Sequence, residues 1–192
     1  MRWRAPVPSI TVWLEEAEQN GLEVILVTAS GCGMVVKDYG FLLREDRVFA
    51  AAARISASAK DIIEYLGRIT LEPTQQLGEI VVTYHSVCSL QHGQKIVQHP
   101  KELLSKNGFV VKDVHESHLC CGSAGTYNIL QPGIANKLRD RKVVNIAMVK
   151  PDMIAAGNIG CMVQIAGGTS VPVVHTIELL DWATGGPRPG LK

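Results

Sequence analysis

The sequence of 192 residues lacks the features that mark several classes of protein. It has no apolar run of the roughly 18 residues that a membrane-spanning helix needs. Its net charge of +1 and its aromatic content of 5% argue against a nucleic-acid-binding surface, which needs positive charge and often stacking rings. The start of the sequence also lacks the apolar segment of a signal peptide. We therefore expect a cytoplasmic, reducing location and no transmembrane segment.

Cysteine is scarce but informative, because the sequence has only five. An odd number in a chain without an export signal favours metal or redox chemistry over a disulfide framework. Cys120 and Cys121 are neighbours, and a disulfide between them would strain the peptide that joins them. Cys32, Cys88 and Cys161 are the other three.

Short apolar segments alternate with stretches of helical periodicity along the chain. The predicted strands are 23–29, 80–84, 109–114, 152–156 and 171–175, and the predicted helices are 47–67, 91–106, 133–150 and 177–183. The last strand is expected to be peripheral, because Pro172 cannot donate a hydrogen bond to a neighbouring strand. The alternation predicts an α/β fold in which βα units form a parallel sheet with helices packed on it.

Four cysteines follow predicted strands: Cys88, Cys120, Cys121 and Cys161. The carboxyl ends of parallel strands meet at one edge of a sheet, where α/β folds bind ligands. We therefore predict that these thiolates form a metal centre at the strand C-terminal ends. Four thiolates suffice for one iron–sulfur cluster or one tetrahedral zinc ion, and the residues alone leave both open.

The spacing of these cysteines and the residues around them resemble a known family. The stretches that carry the resemblance are Tyr84-His85, Cys88-Ser89-Leu90-Gln91-His92-Gly93-Gln94, Cys120-Cys121-Gly122-Ser123-Ala124-Gly125-Thr126-Tyr127, Gly157-Asn158-Ile159-Gly160-Cys161 and 172–183. Together they resemble the cysteine-rich CCG domain, in particular the C-terminal part of the glycolate oxidase iron–sulfur subunit, which is related to the cysteine-rich subunit of heterodisulfide reductase.

The resemblance implies an iron–sulfur cluster of the 4Fe-4S type, cubane or non-cubane, held by Cys88, Cys120, Cys121 and Cys161. It implies an electron-transfer subunit that has no catalytic side chain of its own. Electrons would come from a flavin-containing dehydrogenase subunit that oxidises glycolate to glyoxylate, and would pass toward a quinone. Such partners would also allow peripheral association with the inner face of the cell membrane. The alternatives are a structural zinc or assembly module, and disulfide reduction like that of heterodisulfide reductase.

The resemblance also predicts the domain organisation. Residues 1–75 are expected to be a partial, truncated first CCG unit and residues 76–192 a complete second unit, with the linker near 70–78. One departure from the family pattern is visible. The fuller motif ends in Cys-x-x-Cys, whereas Gln164 stands three residues after Cys161 here.

Other residues near the motifs each leave two roles open. Cys32 is expected to be buried as a small apolar residue, with metal binding in a cleft shared by the units as the alternative. Histidines flank the cysteines and are expected to be polar residues around the cleft, with replacement of a missing cysteine as the alternative; they are His85, His92, His115 and His118. His175 is expected to cap or pack. The basic run 137–142 is expected to be a solvated helix face, or else a docking site for an acidic partner.

Overall fold

A computed structural model describes residues 7–190. The chain divides into two compact units, Met1–Tyr65 and Leu66–Lys192, which we call the first and the second unit. Both are built from parallel strands with helices packed on them, so the predicted α/β class is confirmed. That each unit represents one CCG unit remains a prediction.

The first unit contains a two-stranded parallel sheet. Its elements in chain order are α1 (Val7–Gln19), β1 (Ile25–Val27), α2 (Ser30–Lys37), α3 (Tyr39–Leu42), α4 (Phe49–Ser58), β2 (Ala59–Asp61) and α5 (Ile62–Leu66), whose last residue begins the second unit. Strand β1 pairs with β2, with Ile25 opposite Ala59. Ile10, Ile55 and Ala52 are buried at the centre of the small core that this unit forms.

The prediction of one continuous helix over 47–67 is wrong. The stretch is divided into α4, β2 and α5. Residues 59–61 extend because they can pair with β1, and the Asp61 carboxylate then accepts a hydrogen bond from the Ile63 amide at 2.9 Å, which starts α5. Alanine-rich sequence has high helix propensity, but pairing with a strand distant in sequence overrides it.

The second unit contains a four-stranded, wholly parallel sheet. Its strands are β3 (Val81–Tyr84), β4 (Val110–Lys112), β5 (Met153–Ala156) and β6 (Val173–His175), in the spatial order β4-β3-β5-β6. Strand β6 lies at the edge, which confirms the prediction that rested on Pro172. The carbonyl of Pro172 still accepts a hydrogen bond from the Ile154 amide at 2.9 Å.

Helices connect these strands. They are α6 (His99–Lys106), α7 (Tyr127–Leu130), α8 (Pro132–Met148), α9 (Ile159–Ala166) and α10 (Thr176–Ala183), and a single π-helical turn spans Ser89–Gly93. The helix predicted over 91–106 is therefore wrong in its first half. Lys95 has a φ of 61°, a left-handed conformation that no helix continues through.

The strand order places a reversal of the winding direction at the centre of the sheet in the second unit. The chain runs from β3 outward to β4 and then returns past β3 to β5, so the direction of winding reverses between β3 and β5. In an open α/β sheet, the loops that leave such a pair of strands diverge and open a crevice at their carboxyl ends. The apolar core beneath this crevice includes Ile154 and Ile165, together with Cys121 and Cys161 themselves.

The predicted linker, residues 70–78, falls within the second unit. The amides of Thr74 and Gln75 donate to the carbonyl of Ala183 at 2.9 and 3.3 Å, so this segment is held against the end of α10. His175 caps α10, as expected: its Nδ1 accepts from the Ile177 amide at 3.2 Å. None of the helices over residues 7–190 has both the length and the apolar character that crossing a bilayer requires.

Candidate metal centre

The second unit brings its four cysteines to the carboxyl edge of the sheet. Cys88 follows β3 and directly precedes the π-helical turn, a feature common at functional sites. Cys120 and Cys121 lie in the segment 113–126 between β4 and α7, which we call the cysteine loop. Cys161 is the third residue of α9, which follows β5. The crevice at the reversal point is therefore lined by thiols from three successive βα connections.

The thiols of the four cysteines interact one after another. The Cys88 thiol interacts with Cys120, Cys120 with its neighbour Cys121, and Cys121 with Cys161. Cys88 and Cys120 are partly exposed, whereas Cys121 and Cys161 are buried. The row of sulfurs thus runs from the mouth of the crevice down into the apolar core.

In the interactions between the four sulfurs, two thiols donate hydrogen bonds and two accept them. Hydrogen bonds from Cys121 and then Cys88 lower the pKa of Cys120 to about 2, and a hydrogen bond from Cys121 lowers that of Cys161 to about 5. The same bonds raise the pKa of Cys88 and Cys121, because these thiols donate. Two of the four sulfurs are therefore stabilised as thiolates, the form that binds metal.

Gly122 makes the close turn after the double cysteine. Its φ is 92°, and a Cβ at this position would lie 2.2 Å from the carbonyl oxygen of Ala135 in α8. Only glycine combines this backbone conformation with such a close approach. The Gly122 amide also donates to the Cys120 sulfur at 3.3 Å, a contact that stabilises negative charge on it.

Helix α8 holds the beginning of the cysteine loop through side chains one turn apart. The Lys142 ammonium donates to the carbonyl oxygens of Glu116 and Ser117 at 2.8 and 3.3 Å, and Asn145 donates to the carbonyl of His115 at 3.1 Å. The guanidinium of Arg141 binds the Glu116 carboxylate and lowers its pKa to about 2. The loop is therefore fixed at 115–117 and again at Gly122.

Lys142 also places a buried positive charge near the sulfurs. Only 2% of the residue is exposed, and its known acceptors are neutral carbonyls. Burial lowers the pKa of Lys142, and the nearby Cys121, Cys88 and Cys120 oppose that shift. A buried ammonium is stabilised where negative charge collects, as it would around thiolates that hold a metal. The expectation that 137–142 is a solvated face is thus wrong for Lys142.

The amide of Gln164 is occupied elsewhere. Its Nε2 donates to the Ala135 carbonyl at 3.3 Å, and its Oε1 accepts from the Asn128 side chain at 3.4 Å. The Ala135 carbonyl is the same group that Gly122 approaches. Gln164 therefore ties α9 to the start of α8 and to α7, which is a structural role.

The remaining candidates differ sharply from one another. His85 is 2% exposed, and one of its ring nitrogens, Cys121 Sγ and Cys161 Sγ all lie within 4.8 Å of one another. His92, His115 and His118 are exposed, as expected for polar residues around a cleft. Cys32 is exposed in α2, so the expectation that it is buried is wrong.

The donor set of the second unit fits a thiolate-bound metal group. Soft sulfur donors come from three connections, an amide supports one sulfur, and a buried cation lies nearby. Iron–sulfur clusters and zinc ions both use such donors.

Comparison with known proteins agrees with this geometry. The family model of the cysteine-rich domain named CCG matches residues 82–166, which run from β3 to the end of α9. The match confirms the resemblance inferred from the cysteine motifs, and the CCG domain includes all four cysteines of the crevice.

Curated relatives extend the similarity beyond the CCG domain. The chain is 42% identical over 176 residues to the glycolate oxidase iron-sulfur subunit of Escherichia coli, a match that covers 91% of this chain and 43% of the relative. It is 29% identical to the probable glycolate oxidase iron-sulfur subunit of Bacillus subtilis, covering 88% and 40%. A lactate utilization protein A from Geobacillus thermodenitrificans is 28% identical, with 81% and 69% covered.

The chain thus spans about two fifths of the length of the two glycolate oxidase subunits that it matches.

Sequence analysis missed Lys142 as part of the site. The residue ends a basic run, and in sequence nothing separates it from its solvated neighbours. A helical projection could have found it, because Lys142 and Ile146 lie one turn apart and both are buried.

Proposed function

We propose that the CCG domain binds an iron–sulfur cluster through Cys88, Cys120, Cys121 and Cys161, and that the chain serves electron transfer. The observation that carries the proposal is the unbroken row of four sulfurs at the reversal point of the sheet. The names of the curated relatives, iron-sulfur subunits of glycolate oxidase, support the choice of cluster.

The residues of this chain have distinct tasks in this proposal. When bound, a cluster supplies the site with a group that accepts and releases one electron. Cys121 and Cys161 hold it at the apolar floor, and Cys88 and Cys120 hold it at the partly exposed mouth. The Gly122 amide and the Lys142 ammonium offset the negative charge of the thiolates. No side chain of the centre needs to transfer a proton to substrate.

We further propose that the electrons come from a flavin-containing subunit that oxidises a 2-hydroxy acid. Glycolate, oxidised to glyoxylate, is the substrate that we favour, because the relative with 42% identity is a glycolate oxidase subunit. The electrons would then pass toward a quinone. The partly exposed side of Cys88 and Cys120 is the natural entry point, since electron transfer needs a short path between centres.

The first experiment is analysis of the anaerobically purified chain for iron, acid-labile sulfide and zinc, together with its visible spectrum. The proposal predicts iron and sulfide in near-equal amounts and a broad absorption that bleaches on reduction. Zinc alone, near one ion per chain, would replace the proposal with a structural zinc module, which the same donors can form. Cys32→Ser is the matched control, because it removes an exposed thiol of the first unit.

The second experiment tests the partner and the substrate. The iron-loaded chain is mixed anaerobically with the purified flavin subunits of a glycolate oxidase, and the visible absorption is followed after addition of glycolate, lactate or glycerol 3-phosphate. Bleaching that depends on both the flavin subunits and glycolate supports the proposal. Bleaching with lactate alone would change the substrate, and no bleaching with any of the three would contradict this electron source.

A further inference from the structure

His85 is held rigidly at the floor of the crevice. It follows β3 directly, and its backbone amide donates to the carbonyl of Ala155 at 2.8 Å, which continues the pairing between β3 and β5 by one residue. Its side chain is therefore presented from the centre of the sheet, at the point where the winding reverses. Only 2% of the residue is exposed.

The imidazole of His85 is buried without hydrogen bonds. Neither Nδ1 nor Nε2 has a hydrogen-bond partner among the described residues. The Cys161 sulfur lies close enough for His85 to lower the pKa of that thiol, although the two do not have the geometry of a normal hydrogen bond. Burying a polar ring without partners is unfavourable, so the environment of His85 is incomplete unless something binds to it.

The neighbours of His85 identify what would complete that environment. One ring nitrogen and the sulfurs of Cys121 and Cys161 all lie within 4.8 Å of one another. Two ligands of one tetrahedral zinc ion, at about 2.0 Å for nitrogen and about 2.3 Å for sulfur, are separated by about 3.5 Å. Small rotations of the three side chains would bring their donor atoms to a common metal.

Neither Gln164 nor another histidine is placed to act as this metal ligand instead of His85. The amide of Gln164 is bound to Ala135 and Asn128. Of the six histidines, all of which the structure describes, His85 is the only buried one.

We propose that His85 is a metal ligand whose ring nitrogen joins the sulfurs of Cys121 and Cys161 at the inner end of the centre. This inference deepens the proposed function and rests on metal binding by the CCG domain. The centre would then have mixed nitrogen and sulfur donors. Because a neutral imidazole adds no negative charge, such a centre carries less negative charge than one with a further thiolate in this place, which favours its reduced form.

The test is spectroscopy on the metal-loaded chain with its histidines labelled with ¹⁵N. For an iron–sulfur cluster in a paramagnetic state, pulsed electron paramagnetic resonance should detect a strongly coupled histidine nitrogen. For zinc, X-ray absorption should detect one nitrogen among sulfur ligands. A spectrum that shows sulfur ligands alone would overturn the proposal. This measurement uses the unaltered chain, so its result does not depend on whether a variant folds.

Two variants assign the nitrogen to His85. His85→Cys retains a donor and should keep the metal while losing the nitrogen signal, whereas His92→Gln alters an exposed histidine and should leave the signal unchanged. A nitrogen signal that persists in His85→Cys would overturn the assignment. If that variant does not fold, His85→Gln, which removes the imidazole but keeps a polar side chain of similar length, replaces it in the same measurement.

The outcomes separate this inference from the proposed function. An iron–sulfur cluster with sulfur ligands alone would leave the function standing and remove His85 as a ligand. Zinc bound by nitrogen and sulfur would support His85 and remove the electron-transfer function. A chain that binds neither iron with sulfide nor zinc would overturn both.

Discussion

The two units place a cysteine at the same point of the same local motif, with opposite results. In the first unit β1 leads into α2, and in the second β5 leads into α9. Cys32 and Cys161 are each the third residue of these helices, and each follows a glycine. Cys32 is nevertheless exposed, whereas Cys161 is 8% exposed and lies beside another thiol.

The difference comes from the connections that surround each helix. The second unit has four strands, so the loops after β3 and β4 reach the same edge as Cys161 and bring three more cysteines. The described part of the first unit has two paired strands, and its sequence has no cysteine besides Cys32. A strand, a glycine–cysteine pair and a helix therefore do not make a metal centre without neighbouring connections.

The largest expected effect is on metal binding when cysteines of the two units are exchanged for serine. Cys121→Ser should weaken metal binding by more than about a hundredfold, because it removes a buried ligand rather than a group that only supports one. Cys32→Ser should change binding less than about twofold. The measurement is metal content per chain after gel filtration under anaerobic conditions. Equal metal loss in both variants would show that the comparison between the units is wrong.

Replacing a glycine by alanine should destabilise the fold more in the cysteine loop than at Gly21 in the first unit. Gly122→Ala should destabilise the fold by about 3 kcal/mol, because it adds left-handed strain and a clash with the Ala135 carbonyl. Gly21→Ala also has a positive φ but meets nothing within 4 Å, so about 1 kcal/mol is expected. Urea denaturation of the metal-free protein measures both. Similar losses in the two variants would mean that the cysteine loop adjusts around the added methyl group.

Lys142 offers a way to test the charge balance of the second unit. Lys142→Met should lower the reduction potential of a bound cluster, because reduction adds negative charge that the ammonium stabilises. It should also cost about 1–3 kcal/mol of stability, since the carbonyls of Glu116 and Ser117 lose their donor. Lys137→Met is the matched control, because Lys137 is exposed on the same helix.

Potentiometric titration of the iron-loaded protein and urea denaturation give the two values for Lys142. A potential that is unchanged in Lys142→Met would show that this charge does not act on the centre.

The smallest effect concerns the caps of the two equivalent helices. The Asn158 side chain accepts a hydrogen bond from the Gly160 amide at 3.0 Å, whereas Ala29 caps α2 without any side-chain bond. Asn158→Ala should lose about 1 kcal/mol, and Ala29→Asn should gain up to about 1 kcal/mol. Thermal denaturation measures both changes. A gain that equals the loss would show that the helix starts are interchangeable, so that only their neighbours differ.

The strands of the second unit could be predicted well because buried parallel strands are short, continuous apolar runs. The predictions over 80–84 and 152–156 differ from β3 and β5 by one residue each. The helix over 133–150 was also predicted to within two residues, since Pro132 marks its start. Local signals were strong at these places, and tertiary contacts agreed with them.

Where prediction failed, a distant contact had overridden a local preference. Strand β2 interrupts an alanine-rich stretch because β1 offers it a partner. Lys142 has the sequence context of a surface residue, yet the carbonyls of the cysteine loop enclose it. Such partners are distant in sequence and are invisible to periodicity.

By itself the sequence determined the fold class and the four cysteines that gather in the second unit, because strand patterns are local and cysteines are rare. Only the tertiary structure decided that His85 lies buried beside Cys121 and Cys161, that Gln164 is bound elsewhere and that Lys142 is buried against carbonyls of the cysteine loop. These facts depend on where β3, α8 and α9 are placed relative to one another within the second unit. The residues come from three segments that are distant in sequence, and local sequence patterns do not predict such contacts.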